Sequence, residues 1–460
     1  MNKEMPKNFF WGNSTSSMQT EGGWNEGGKG LSVYDIRSAT DHTMDWHVAI
    51  DNFHDYEKDL DLMKEMNMNM YRFQISWSRV CPTGDGAFNE EGIEFYSRLI
   101  DDLLARGIEP MICLYHFDMP LALAEKYNGF LSRHVKDAFV SFGKEMIRRF
   151  SSRVKYWIVF NEHNLYFTDE TFQISGYEKG DRSLSDLYAI FHHTMLAHCE
   201  ISAYLHKFDQ TAKIGGMVAY TEIYPASTAP ADNLAVRKQE EFLYQNLCDV
   251  YTYGRYSNEV MTFVKNNKID MDYLSGEDDA ILAAGKADFI SFSYYRSALL
   301  DASLIPAGEA PNRYLNEGLC LDETLPASPW KWTIDATGFR NIITRLYNQF
   351  GLPIFPIENG IGLYEEWDGQ NEIQDDQRIQ YHRAHIQAMK DAIFIDGADV
   401  IGYLGWGLID IPSSHADMNK RYGAVYVNRT NHELLDLKRV PKKSFHWFKR
   451  ILETNGNTLD

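Results

Sequence analysis

Among 460 residues there are only five cysteines, Cys81, Cys113, Cys199, Cys248 and Cys320, odd in number, widely spaced and without a C-x-x-C pair. A disulfide framework and a cysteine-built zinc cluster are therefore not expected as organising devices. Lysine and arginine never gather into a long run, and 65 acidic against 45 basic residues leave a formal charge of −20. Nucleic acid and anionic membrane surfaces are not expected partners, and any anionic ligand has to be met by a local cationic pocket. No window approaches the apolar length of a membrane span, and the opening MNKEMPKNFFWGNSTS holds no apolar run long enough for a signal peptide. A reducing cytoplasm is the expected location. Linkers, low-complexity tracts and internal repeats are missing too, so a single domain over residues 1–460 is the expectation.

What the chain does have is 44% hydrophobic and 14% aromatic residues, ample for a large core. Runs rich in Val, Ile, Phe and Tyr recur at 8–12, 70–77, 110–116, 154–162, 212–220, 287–295, 352–358 and 400–409. Between them lie segments such as YEKDLDLMKEM, GIEFYSRLIDDLLARG and VKDAFVSFGKEMIRRF, whose apolar residues fall at helical spacing. The runs are continuous rather than alternating, as strands of a parallel sheet covered on both faces require. Gly and Pro in ARGIEP, GLPIFP and DGADVIG stand where helix-to-strand turns need them. Eight strands alternating with helices specify an α/β fold, a (β/α)8 TIM barrel, with long insertions near 225–249 and 300–330.

In such a barrel the chemistry collects at the C-terminal ends of the strands. There the chain places Arg72 and Trp77, Tyr115 and His116, Asn161 and Glu162, Tyr294 and Tyr295, Glu358 and Asn359, and Trp406 and Asp410. Two of these are glutamates delivered by apolar strands, Glu162 in VKYWIVFNEHN and Glu358 in PIFPIENG. A lone glutamate at a strand end is as readily a structural group that bonds loop amides. Two of them, on strands four and seven across the mouth from one another, point to glycosidic bond cleavage. One carboxyl protonates the leaving oxygen while the other attacks the anomeric carbon or activates water.

Longer motifs stand in order along the chain: FFWGNSTSSMQTEG, YRFQISWSR, YHFDMP, FNEHN, FSYY, IENG, and GWGLID followed by KRYG. Together they make it resemble glycoside hydrolase family 1, the β-glucosidase and 6-phospho-β-glucosidase family of retaining (β/α)8 enzymes, over nearly its whole length. His163 is the departure, standing where the family has proline after the acidic residue. The resemblance implies Glu162 as general acid/base and Glu358 as nucleophile. Arg72 and Tyr295 are expected to hold Glu358 ionised, and burial beside that charge to keep Glu162 protonated. A retaining mechanism expects carboxyls roughly 5 to 5.5 Å apart. Gln19, His116 and Asn161 take the positions of sugar-hydroxyl partners, with Trp406 beneath the ring. Trp330 and Trp332, in PWKWTID, are candidates for a wall on the leaving-group side, against the alternative that the pair only packs.

Ordinary β-glucosidases of the family carry a glutamate three residues after the Asp of GWGLID, where it grips O4 and O6 of the sugar; here that position is Ser413. Removal of a carboxylate suits an O6 that bears its own phosphate, which a glutamate would repel. Ser413, Lys420 and Tyr422 match the phosphate-binding loop of 6-phospho-glycosidases, offering a hydroxyl, an ammonium and a phenol. The alternative for Lys420 and Arg421 is a solvated basic pair on a surface loop. Ser414 stands where 6-phospho-β-galactosidases place Trp, which favours glucosides. The expected function is retaining hydrolysis of 6-phospho-β-D-glucosides to glucose 6-phosphate and an aglycone. Alternatives are a 6-phospho-β-galactosidase or dual activity, a plain β-glucosidase and, more distantly, a silent sugar-phosphate binding module. The expected partner is a phosphorylated small molecule; the oligomeric state is left open.

Two other clusters imitate sites. GWNEGGKG has the glycines and Lys29 of a phosphate loop but no Ser or Thr after the lysine. His192, His193 and His198 in FHHTMLAH lack the H-E-x-x-H spacing and a third acidic ligand, so helix packing is the reading and no metal is expected. No cofactor is required, because carboxylates suffice for proton transfer and covalent catalysis.

Overall fold

Each apolar run becomes a strand, and each amphipathic segment a helix packed outside it. The computed structural model describes residues 4–460. The strands are β1 Phe10–Ser14, β2 Met70–Gln74, β3 Glu109–Tyr115, β4 Tyr156–Phe160, β5 Lys213–Pro225, β6 Phe289–Leu300, β7 Ile354–Asn359 and β8 Gly402–Trp406. All neighbours from β1 to β7 pair in parallel, and β1 pairs with β8, Phe10 opposite Gly402. A parallel bridge between Ile354 and Val400 joins β7 to the start of β8 and closes the barrel.

The helices show why they form. Glu90–Ala105 buries Ile93, Tyr96, Ile100 and Leu103, one stripe at 3.6-residue spacing, and opens on Glu90 and Glu91, whose charge suits a helix N-terminus. In Ala336–Phe350 the Asp335 side chain accepts from the Gly338 N–H at 2.8 Å, and Gly351 closes the helix at φ 69°.

Two apolar cores result. The larger lies between sheet and helices; the smaller fills the barrel with Met70, Met111, Cys113, Ile158, Met217, Phe289, Phe355, Ile357 and Leu404. Gly12 permits the close approach of β1 to β2, since a Cβ there would run into the Met70 carbonyl.

Boundaries differ from the sequence expectation in an instructive way. The first strand is 10–14 rather than 8–12, because it continues past its apolar part into Asn13 and Ser14, whose backbones still pair with Tyr71 and Arg72. Strands β5 and β6 run on together beyond the barrel to Pro225 and Leu300, with a register shift near Tyr220 and Glu222, and Leu319–Cys320 adds a short antiparallel edge. The insertion after β5 is largely helical, over Pro230–Glu240 and Asn246–Tyr253. All five cysteines are free, and no helix among the described residues is long and apolar enough to cross a membrane.

Candidate active site

Arg72, fully buried, is where the apolar core ends and the polar mouth begins. Its Nη2 donates to the Cys113 sulfur at 3.2 Å and to Asn161 Oδ1 at 2.6 Å; its Nη1 donates to Ser14 Oγ at 3.0 Å and to Glu358 Oε1 at 2.5 Å. A planar donor fork therefore ties four strands, β1, β3, β4 and β7, to the strand that carries it. Glu358 is 3% exposed and also accepts from the Tyr295 hydroxyl at 2.8 Å through its other oxygen, so both carboxylate oxygens are held.

Glu162 follows the end of β4. Asn161 still donates its N–H to the Tyr115 carbonyl at 2.8 Å, then Glu162 turns left-handed, φ 45° and ψ 54°, and the helical turn His163–Phe167 begins. A non-glycine residue in that region costs on the order of 1 kcal/mol, a strain met at functional turns. Its Oε1 accepts from Ser293 Oγ at 2.6 Å, and it meets no cation in an ion pair among the described residues. Ser293 and Tyr295 are two apart on β6 and so share a face, and one strand thereby holds both carboxyls from the same side.

The two acids are electrostatically unequal. Burial, then the Glu358 charge, push Glu162 up to about 8, with the Ser293 hydroxyl opposing. Burial also raises Glu358, but the Arg72 charge and the Tyr295 hydroxyl act against it. The two partners expected to hold Glu358 ionised oppose burial without cancelling it, so Glu358 also stands above the ordinary carboxyl value. The difference between the carboxyls is what counts: only Glu358 has a guanidinium bonded to it, so the first proton the pair binds belongs to Glu162.

The other expected residues make the following contacts. Trp406 and His116 stack with centroids 5.5 Å apart; burial keeps His116 neutral, and its Nδ1 has no partner. Asn161 gives its oxygen to Arg72 and leaves its Nδ2 without a partner. Gln19 accepts from Ser16 Oγ at 2.5 Å and donates to the Pro412 carbonyl at 2.8 Å, which joins it to the loop after β8. Trp330 stacks on Tyr364 at 4.3 Å, and Trp332 lies 5.6 Å from Tyr295. Several strand-end groups are structural instead. Asp410 pairs with Arg421 and Lys442, each at 3.0 Å; Asn359 donates to the Tyr294 carbonyl and to Tyr381; and the Tyr294 hydroxyl donates to the Asp335 carbonyl.

The loop after β8 separates its two cations. Arg421 is buried and spent on Asp410 and the Val427 and Arg429 carbonyls. Lys420 is only 8% exposed, yet it makes no ion pair or hydrogen bond among the described residues; its Nζ sits 3.5 Å from the Trp332 ring centroid and 5.4 and 5.6 Å from those of Trp330 and Tyr422. Burial and the nearby charge of Arg296 push it down to about 8. Ser413 Oγ accepts two long backbone N–H bonds, from Asp417 at 3.3 Å and His415 at 3.4 Å, which leaves its hydroxyl hydrogen uncommitted. The solvated basic pair is therefore replaced by one structural arginine and one buried, unpaired lysine.

A family model described as "Glycosyl hydrolase family 1" matches residues 1–457. The chain belongs to glycosyl hydrolase family 1. It is 37% identical to an aryl-phospho-beta-D-glucosidase of Bacillus subtilis (strain 168), with 99% of each chain covered. It is 36% identical to a 6-phospho-beta-glucosidase of Clostridium longisporum, over 99% of this chain and 98% of that one. Among solved structures, a family 1 b-glucosidase from Thermotoga maritima superposes with a TM-score of 0.86 at 28% identity, covering 98% of both chains.

Within this family 1 barrel, sequence reasoning missed Ser14, which accepts from Arg72, and Ser293, which donates to Glu162. Ser293 was findable: it alternates with Tyr295 on an apolar strand, and a hydroxyl facing a barrel interior needs a reason. Arg296 was missed as well, since nothing in FSYYRS marks an arginine left without a carboxylate. In the two imitation sites Lys29 pairs with Asp35 at 2.5 Å, His192 bonds Asp278 and Tyr256 at 2.9 Å each, and His193 bonds the Phe130 carbonyl. No cluster of three metal-ligating side chains occurs among the described residues.

Proposed function

We propose that this family 1 enzyme hydrolyses 6-phospho-β-D-glucosides with retention of configuration. Glu162 gives its proton to the glycosidic oxygen while Glu358 attacks the anomeric carbon; the C–O bond to the aglycone breaks and a glycosyl ester on Glu358 forms. Glu162, now ionised, takes a proton from water, which opens the ester and releases glucose 6-phosphate with Glu358 restored. Its position above the ordinary carboxyl range supports Glu162 as the acid, and the fork of Arg72 supports Glu358 as the nucleophile. His116, Asn161 and Gln19 are assigned to the sugar hydroxyls, Trp406 to the ring face, and Trp330 to the leaving-group side.

The observation that carries the phosphate is Lys420, a nearly buried ammonium with no carboxylate partner, in the loop where Ser413 stands in place of a glutamate. An unpaired buried cation is costly unless a ligand supplies the anion. With Tyr422 and Ser413 it offers the phosphate a cation and two hydroxyls. The names of the Bacillus and Clostridium relatives accord with this reading. Ser414 is exposed and offers no aromatic wall, which supports gluco over galacto substrates. Phosphorylated sugars and five free cysteines both suit a cytoplasmic enzyme.

The test is a panel of chromogenic β-glucosides and β-galactosides, plain and 6-phosphorylated. We expect kcat/KM for the glucoside 6-phosphate to exceed that for the plain glucoside by at least about 100-fold, the range of one or two charge-assisted hydrogen bonds. Ser413→Glu should reverse the preference. Equal rates on both glucosides would refute the phosphate reading and leave a plain β-glucosidase.

A further inference from the structure

Arg296 follows Tyr295 on the part of β6 that reaches beyond the barrel. It is half-buried, and among the described residues its guanidinium makes no ion pair and no hydrogen bond. Its five N–H donors are thus left to solvent and open to an incoming anion. Its central carbon lies 5.7 Å from the Trp332 ring centroid, the same indole on which Lys420 Nζ rests at 3.5 Å. The two cationic centres are thus no further apart than the sum of those distances, and each is without a carboxylate of its own. Glu170, an exposed residue, is the acid whose charge reaches Arg296, and Asp417 the one that reaches Lys420. Asp417 is already engaged by the Asn431 amide at 3.0 Å.

Two like charges held against one aromatic ring, with no counter-ion in contact, raise the energy of the empty enzyme. A phosphate monoester carries close to two negative charges at neutral pH, so Lys420 alone neutralises only half of it. From this geometry we propose that Arg296 is a second phosphate-binding cation, acting from β6 opposite the loop 413–422 and setting the preference for a dianionic substrate. The guanidinium's planar fork takes two phosphate oxygens, the ammonium a third, and Trp332 fixes the spacing between them. The inference rests on the phosphoglucosidase reading and extends it to a residue outside the loop that reading uses. An anionic group on the aglycone is the rival occupant, because Arg296 sits beside the leaving-group wall.

The experiment measures kcat/KM of the wild type, Arg296→Met, Arg296→Lys, Lys420→Met and the double methionine variant. Three substrates are used: an aryl β-glucoside 6-phosphate, its plain counterpart, and a plain glucoside with a carboxyphenyl leaving group. The expected result is that Arg296→Met lowers the phosphorylated-to-plain ratio by at least about tenfold, the lower range for a hydrogen bond to a charged group. Arg296→Lys should restore part of it, and the double variant should lose less than the product of the two single losses, since both cations grip one anion. Competitive inhibition by glucose 6-phosphate should weaken in Arg296→Met, while inhibition by glucose changes less. If the wild type shows no phosphate preference, the underlying reading fails. If the wild type has the preference and Arg296→Met keeps it, Arg296 alone is misassigned. A selective loss on the carboxyphenyl substrate would move Arg296 to the aglycone and overturn the proposal in favour of the rival. Lys and Met variants that both lose activity equally on all three substrates would mark Arg296 as structural, again overturning it.

Discussion

At the residue scale, two glutamates of identical chemistry are made different by what surrounds them. Glu358 has a guanidinium at 2.5 Å and a phenol at 2.8 Å, whereas Glu162 has one serine hydroxyl and a like charge nearby. Glu162 is raised to about 8, so it carries its proton below that value and loses it above. The expected consequence is a kcat/KM that falls on the alkaline side with a midpoint near pH 8, read from a pH profile on a plain aryl glucoside, because on a phosphorylated one Lys420, itself pushed down to about 8, would add its own loss of charge. In Glu162→Gln that limb should disappear for a substrate whose leaving group needs no proton. A profile flat to pH 9.5 in the wild type would contradict the assignment of the acid.

At the scale of elements, β6 does most of the site's positioning. It bonds Glu162 through Ser293, Glu358 through Tyr295, and it carries Arg296 outward along the same strand. Because the Ser293 hydroxyl stabilises the ionised form of Glu162, its removal should move the proton the other way. Ser293→Ala is expected to shift the alkaline limb upward, to higher pH, with little change in KM. The barrel interior behaves as a packed layer. Phe355 is fully buried among Phe10, Phe289 and the methionines, so Phe355→Ala should cost about 3–5 kcal/mol by urea unfolding. A loss below 1 kcal/mol would mean that the interior collapses to refill the space.

At the scale of the whole molecule, the ends of the chain close the barrel on each other. Strand β1 pairs with β8, the Met5 N–H donates to Asn457, and the Trp11 indole donates to Asn455. We propose on this basis that the chain unfolds as one cooperative unit rather than as separable domains, which scanning calorimetry reads as one transition. Two resolved transitions would contradict it. Four of the five free cysteines are buried and none is bridged, so about 10 mM dithiothreitol should leave the melting temperature unchanged.

Sequence alone settled the eight-strand barrel, because continuous apolar runs can only be covered on both faces, and it placed both glutamates at strand ends, where a parallel barrel exposes its chemistry. It also marked Ser413, since the motif around it is long enough to define the position. Strand limits were less legible where function intrudes: Ser14 ends β1 as a polar residue because it serves Arg72, and no hydropathy pattern announces that. Only the tertiary structure decided which polar groups are spent and which are free. Lys420 and Arg421 are adjacent in the chain and alike in charge, yet one is consumed by Asp410 and two carbonyls while the other stands unpaired against Trp332. The physical reason is that neutralisation depends on what comes within about 4 Å from distant parts of the chain, a property of the folded surface that local sequence does not carry.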